Sequence, residues 1–189
     1  AGRFYMKIPC HDMTLRYSKG WPVIKHIMGD VDITGHQLAI HIAQAKISNN
    51  PLSQLTGLIP NLKHAVLSVD AESTTTVNAL LPLLKSLPIT MAQTFSQWHG
   101  SGPLKASLSL SKALFIPKSL VHLNGQIKLD SDKLTYAPWA PPVNNTIGTL
   151  HFTENVIQSD KSVGMVLGDP VALSIKTQYN KDKNTQFKL

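Results

Sequence analysis

The chain has 189 residues, 42% of them hydrophobic, 6% aromatic and 15% charged. That is ordinary composition for one domain of typical size with room for part of a second. Lys and Arg number 18 against 11 Asp and Glu, a formal charge of +7 without any run of five or six like charges. Thin basicity of this kind argues against a basic tail or a dense phosphate-binding stripe. Cys10 is the single cysteine, so an internal disulfide framework and a Cys-based zinc cluster are excluded. The longest apolar stretch, 77–91, is broken by Asn78, Pro82, Lys85 and Pro88. It falls short of the roughly 20 apolar residues that span a bilayer as a helix. There is no initiator Met and no charged-then-apolar leader, so the expectation is a piece excised from a larger protein.

In chain order, the dominant signal is period-two alternation, which marks strands with one apolar face. A weak strand signal at 31–34 precedes Leu38-Ala39-Ile40-His41-Ile42, where the even positions are apolar. A second weak one covers 62–70. Residues 73–86 break the pattern: Ser and Thr suited to an N-cap lead into Val77, Leu80, Leu81 and Leu84 at helical spacing. Pro82 within that stretch predicts a short or kinked helix. A second helix is expected over 88–98, with Pro88 in its first turn and Gly100 beyond its end. Alternation then resumes strictly at 104–110 and 121–129, weakly at 150–153 and 163–167, and again at 171–176. Turn chemistry is expected at 48–51, 130–132, 141–145 and 168–170.

The chain also resembles itself. A shift of 119 positions aligns Leu15 with Leu134, Tyr17 with Tyr136, Pro22 with Pro141, Gly29 with Gly148, Thr34 with Thr153 and Pro51 with Pro170. The expected organisation is one full unit at 1–135, including a helical segment at about 73–98, and the start of a second at 136–189.

Catalytic and cofactor signatures are missing. There is no Gly-rich phosphate loop, no Gly-x-Ser-x-Gly elbow and no Cys-x-x-Cys. The eight His residues are scattered, and His36 and His41 would point to opposite faces of one strand. Asp30 and Asp32 share a strand face and could hold a cation, although solvated carboxylates are the simpler reading. Asn144-Asn145-Thr146 fits the glycosylation sequon and reads as a turn. Tyr17, Trp21, Tyr136 and Trp139 are too few and too far from Lys and Arg to stack nucleic-acid bases. The expectation is a non-enzyme with no metal, no cofactor and no nucleic-acid partner.

About eight to ten strands with apolar faces cannot leave those faces in water, since each buried aliphatic side chain is worth roughly 1.5–3 kcal/mol. A closed β-sandwich or barrel would bury them, and so would a sheet curled into an open trough wetted by lipid chains. A repeating unit favours the trough, because it extends one apolar surface from unit to unit.

The stretch Tyr17-Ser18-Lys19-Gly20-Trp21-Pro22-Val23-Ile24-Lys25-His26-Ile27-Met28-Gly29-Asp30-Val31 looks like a recurring segment of one family. So do the helical stretch 77–86 with Leu87-Pro88-Ile89, the run from Gly100 to Leu108, the strand at 121–129, and the closing Gly168-Asp169-Pro170-Val171-Ala172-Leu173. Together they resemble the central periplasmic region of the YhdP-like, AsmA-like family of the Gram-negative envelope. The departures are Ala137-Pro138-Trp139 in place of a clean Trp-Pro and the polar stretch 177–188. The resemblance implies a mainly β fold, a curled antiparallel sheet forming an open groove (a β-taco) with a helical insertion. It implies a periplasmic segment of an inner-membrane-anchored protein that conducts phospholipids between inner and outer membranes. Its partners would be phospholipid acyl chains and, through the full-length protein, both membranes. The residues expected to line the groove are Leu38, Ile40, Ile42, Leu104, Leu108, Leu110, Leu123, Ile127, Leu129, Leu173 and Ile175. The alternative is a β-rich scaffold or interaction module that binds no lipid.

Overall fold

The computed structural model describes residues 4–16, 20–87, 90–116, 119–137 and 139–178. Strand-forming alternation runs almost end to end and gives β1 (Tyr5–Leu15), β2 (Ile24–Thr34), β3 (Gln37–Ile47), β4 (Asn50–Leu52), β5 (Gln54–Ile59) and β6 (Val66–Thr76). The single α-helix among the described residues, α1 (Val77–Ser86), follows β6 without a break, and a 3-10 helix spans Thr90–Gln97. The remaining strands are β7 (Trp98–Ser101), β8 (Pro103–Ala113), β9 (Val121–Tyr136), β10 (Trp139–Thr153), β11 (Val156–Ser159), β12 (Ser162–Val166), β13 (Asp169–Leu173) and β14 (Lys176–Gln178). No helix among the described residues is long and apolar enough to cross a membrane.

All strands join one 14-stranded sheet in the order β1-β2-β3-β5-β6-β8-β9-β10-β11-β14, with every pairing antiparallel. β4 pairs with β3, β7 with β9, and β12 with both β10 and β13. β1 and β14 end the path and do not pair with each other. The closed barrel or sandwich is therefore set aside: this is one open, curled sheet with a helical insertion.

Directly opposed residues share a face, so the registers identify what each face carries. One row runs Cys10–Gly29–Ile42–Leu55–Ala71–Leu108–Gly125–Phe152–Ile157 across nine strands. The row beside it on the other face runs Pro9–Asp30–His41–Thr56–Asp70–Ser109–Asn124–Thr153. The first face is apolar along its whole width and the second is polar. Two clusters form on the apolar face. The larger gathers Val77, Leu80, Leu83, Leu84 and Phe95 from the helical segment with Leu104, Leu123, Ile127, Leu129, Leu134, Phe152 and Ile157. The smaller joins Cys10, Ile27, Ile42 and Ala45 on β1–β3.

The registers also recur at the 119-residue offset. Ile8↔Val31 is matched by Ile127↔Leu150, Cys10↔Gly29 by Leu129↔Gly148, and Leu15↔Ile24 by Leu134↔Val143. Ile33↔Leu38 is matched by Phe152↔Ile157, and Lys46↔Pro51 by Met165↔Pro170. Left-handed backbone recurs too, at His26 and Asn145 and at Ser48 and Leu167. The agreement slips by one residue at the last pairing, where Leu38 faces Ile59 but Ile157 faces Thr177.

Several sequence expectations are corrected. Residues 73–76 are the end of β6 rather than a helix start, because β-branched Thr suits a strand and the ladder to β8 continues as far as Thr76↔Pro103. The first helical N–H, on Val77, donates to the Gly102 carbonyl at 3.0 Å instead of to a capping side chain. α1 is, as expected, one short helix, and Pro82 sits on its exposed side. The second helix is 3-10 in character from Thr90, and Pro88 lies outside the described residues. The expected turns at 130–132 and 141–145 are interior to β9 and β10, where Ser131 pairs with Thr146 and a register shift between Trp139 and Val143 absorbs the irregular sequence. The turn at 48–51 is narrower than expected, with Asn50 and Pro51 already in β4. His36 lies in the β2–β3 turn, so it shares no strand with His41.

Candidate functional site

The apolar face of β8–β10 is roofed rather than bare. α1 presents Val77, Leu80, Leu81 and Leu84 to it, and the 3-10 helix adds Phe95. Leu83 is buried with them, a position the helical-spacing argument passed over. The β13–β14 connection closes in from the other side with Leu173, Ser174 and Ile175, held by two reciprocal bonds of 2.7 Å: Ile175 N–H to Ser159 Oγ, and Ser159 N–H to the Ile175 carbonyl. The result is a hollow of about 400 Å³, within the usual range for a site that takes a small apolar ligand. Residues from β8, β9, β10, β11 and β13 converge on it, which a flat sheet could not do.

Its lining is apolar and aromatic. Trp98 and Tyr136 stand at one end with ring centroids 5.1 Å apart. Trp139, Pro141, Val143, Leu150 and Ile157 complete the wall. Burial in this surrounding raises the Tyr136 phenol above its ordinary value, so it stays neutral through the physiological range. Thr146 and Ser162 are the buried polar residues at the wall, and the Thr146 hydroxyl has no hydrogen-bond partner in the structure.

Of the eleven residues singled out in the sequence, Leu104, Ile127, Leu129, Leu173 and Ile175 line this hollow. Leu108, Leu110 and Leu123 belong to the same hydrophobic cluster without lining it. Leu38, Ile40 and Ile42 lie on the same face of the sheet on β3, three strands from β8; Ile40 and Ile42 join the smaller cluster. Sequence reasoning missed Leu134, Tyr136, Trp139, Val143, Leu150 and Ile157. The 119-residue shift pairs Leu134 with Leu15 and Tyr136 with Tyr17 and, by the same offset, Leu150 with Val31 and Ile157 with Leu38, so it was a signal for those four, whereas Val143 was hidden inside an apparent Pro-Pro turn.

Polar chemistry is elsewhere. Asp30 is bound to Lys7 Nζ at 3.1 Å and Asp32 accepts from the Tyr5 hydroxyl at 3.1 Å, so both carboxylates are engaged with β1 on the polar face. Each raises the pKa of its partner, through the hydrogen bond first and then through charge. His26 with Asp12, and His151 with Asp160, form exposed pairs at 2.7 and 3.0 Å. No group of three or more metal-ligating side chains gathers among the described residues.

A model of the YhdP protein family matches residues 1–189. The chain belongs to the YhdP family. One relative in it is the intermembrane phospholipid transporter YhdP of Escherichia coli (strain K12), 21% identical over 179 residues. That match covers 94% of this chain and 14% of the transporter, so the chain spans about one seventh of that relative. No solved structure matches the chain significantly. Intermembrane phospholipid transport is the activity that relative is named for; this chain has an open β-sheet with a continuous apolar face.

Proposed function

We propose that the chain is a segment of a periplasmic intermembrane phospholipid transport protein, whose apolar sheet face shields acyl chains between inner and outer membranes. The observation that carries this reading is a hollow lined almost wholly by apolar side chains in a sheet that remains open. A sheet built only for stability would fill such a space, since each missing contact costs free energy. The eleven residues named from the sequence are the groove-facing set: five at the hollow, three in its surrounding cluster, and Leu38, Ile40 and Ile42 farther along the same face. The role is passive and needs no catalytic group, metal or cofactor. The ligand is the acyl portion of a phospholipid, and nucleic acid has no place in it. The anchor in the inner membrane and the reach to the outer one belong to the full-length protein.

We also read the 119-residue recurrence as a structural repeat. The matching registers favour a second unit that opens with β9, ahead of the 135/136 boundary expected from sequence, because β9–β10 is the counterpart of β1–β2. Repetition would lay the same apolar face end to end, as a lipid path requires.

Native mass spectrometry of the purified chain, together with titration of a fluorescent fatty acid, tests the transport reading. The expected result is co-purified lipid or saturable fatty-acid binding. Ser174→Trp, which adds bulk at an exposed position of the lining, should weaken binding while the fold is retained. A clean apo mass with no fatty-acid binding would leave the non-lipid scaffold as the better account.

A further inference from the structure

The strand ends opposite α1 form a continuous rim. Gly35 N–H donates to the Phe4 carbonyl at 2.8 Å, Leu62 N–H to the His36 carbonyl at 2.8 Å, and Leu114 N–H to the Ala65 carbonyl at 2.8 Å. These bonds tie the start of β1, the β2–β3 turn, the β5–β6 connection and the β8–β9 loop side by side. Large apolar side chains stand out from this rim: Phe4 is 58% exposed, Phe115 73%, Ile116 62% and Leu120 78%. Nothing in the fold requires them there. Leu114 and Ser119 already anchor the β8–β9 loop, through the Ala65 carbonyl and through a Ser119 hydroxyl bond to the Ala113 carbonyl at 2.6 Å. By sequence the turns at 35–36, 60–65 and 114–120 hold His36, Lys63, His64 and Lys118 and no Asp or Glu, and Glu154 in the neighbouring β10–β11 turn lies 3.9 Å from His122 and accepts from the Leu123 N–H at 3.2 Å.

We propose that this rim contacts the surface of an anionic lipid bilayer, with Phe115, Ile116, Leu120 and Phe4 entering the headgroup–acyl boundary and Lys63 meeting the headgroups. Protruding apolar tips beside Lys63, with Glu154 engaged by His122 and the Leu123 N–H, have the chemistry of a bilayer-surface anchor. A protein partner would favour a flat, Lys-depleted patch. The proposal goes beyond acyl-chain shielding, because it concerns the strand ends and not the hollow. It would let a groove segment lie against a membrane from which a lipid could move sideways.

The test is flotation of the 189-residue chain with vesicles of phosphatidylglycerol and phosphatidylcholine in equal parts, against vesicles of phosphatidylcholine alone. The expected result is binding to the mixed vesicles that weakens with salt and is much reduced on phosphatidylcholine alone. The double variant Phe115→Ser/Ile116→Ser should bind the mixed vesicles at least about tenfold more weakly, as expected for losing one or two partly inserted apolar side chains. Lys63→Glu should weaken binding by a smaller factor. Phe4→Ser, on a different strand, reads the same surface should the loop variant fold poorly. Absence of binding by the parent, or rim variants that bind as the parent does, would overturn the proposal. So would equal binding to both vesicle types. The two readings separate cleanly: Ile175→Asp, at the hollow, should lose fatty-acid binding and keep flotation, and the rim variants should do the reverse.

Discussion

The β1–β3 region and the β9–β11 region have the same pairing registers and the same alternation, yet different interiors. On β1–β3 the apolar face carries a small cluster around Cys10, Ile27, Ile42 and Ala45, and Val31 and Ile40 stay half-buried. On β9–β11 the equivalent face is deep inside, with Ile127 4% and Ile157 5% exposed, because α1 and the 3-10 helix lie over it. Strand patterning therefore supplies an apolar face wherever the sheet runs. The insertion between β6 and β7, with the β13–β14 connection, turns part of that face into a hollow. The difference lies in what covers the strands.

The sharpest way to break this comparison is to put a charge on the apolar face in both regions. Ile127→Asp places an unpaired carboxylate beneath the helix and should cost about 3–5 kcal/mol, a large part of a total stability of about 5–15 kcal/mol. Ile40→Asp, half-buried on β3, should cost a fraction of that. Equal losses in thermal melting would mean that the two faces are equally dry. Next in size, Leu84→Ala removes a buried helix contact and should destabilise by about 2–5 kcal/mol. Hydrogen exchange should then rise over β8–β10 and stay unchanged over β1–β3.

A third comparison is between two glycines beside β3. A Cβ on Gly29 would come within 2.1 Å of the His41 carbonyl oxygen, which is backbone and cannot swing aside, whereas a Cβ on Gly57 meets the Ile40 side chain, at 3.0 Å from Cδ1 and 3.2 Å from Cβ. Gly29→Ala should cost about 1–3 kcal/mol or more through overpacking, and Gly57→Ala should lower the denaturation midpoint by less, because a side chain gives where backbone cannot. The last expected effect concerns the link between the two regions. Asn50, 1% exposed on β4, donates to the Ala79 carbonyl of α1 at 3.0 Å and accepts from Thr75 Oγ1 at 2.9 Å. Asn50→Ala should cost about 1–2 kcal/mol and loosen the helix, which would show as faster exchange of fatty acid from the hollow.

Much of the sheet was legible because period two is a local property. Residues 38–42, 104–110 and 121–129 declare their inward faces within a few positions, and the registers then carry those faces across the sheet. β1 was overlooked although Met6, Ile8 and Cys10 alternate with Lys7 and Pro9. The mixed stretches 130–132 and 141–145 read as turns because Asp, Asn and Pro usually make them. Here the ladder between β9 and β10 extends past both, and the hydrogen bonds of a long hairpin outweigh local turn preference. The site was half legible for the same reason: strand residues of the hollow announced themselves, whereas Trp98, Tyr136 and Trp139 meet only when separate elements converge.

By itself the sequence determined an open-ended run of strands with one apolar face, a helical interruption after β6, a recurrence at 119 residues and an absence of catalytic constellations. Each of these is written in spacing along the chain. The tertiary structure decided that the sheet stays open, that α1 folds back over β8–β10 and not over β1–β3, and that a hollow remains beneath it. Those outcomes depend on packing between residues far apart in sequence, such as Leu84 with Ile157 in one cluster. Periodicity aims a side chain at one face of the sheet; it cannot say which distant element will cover that face.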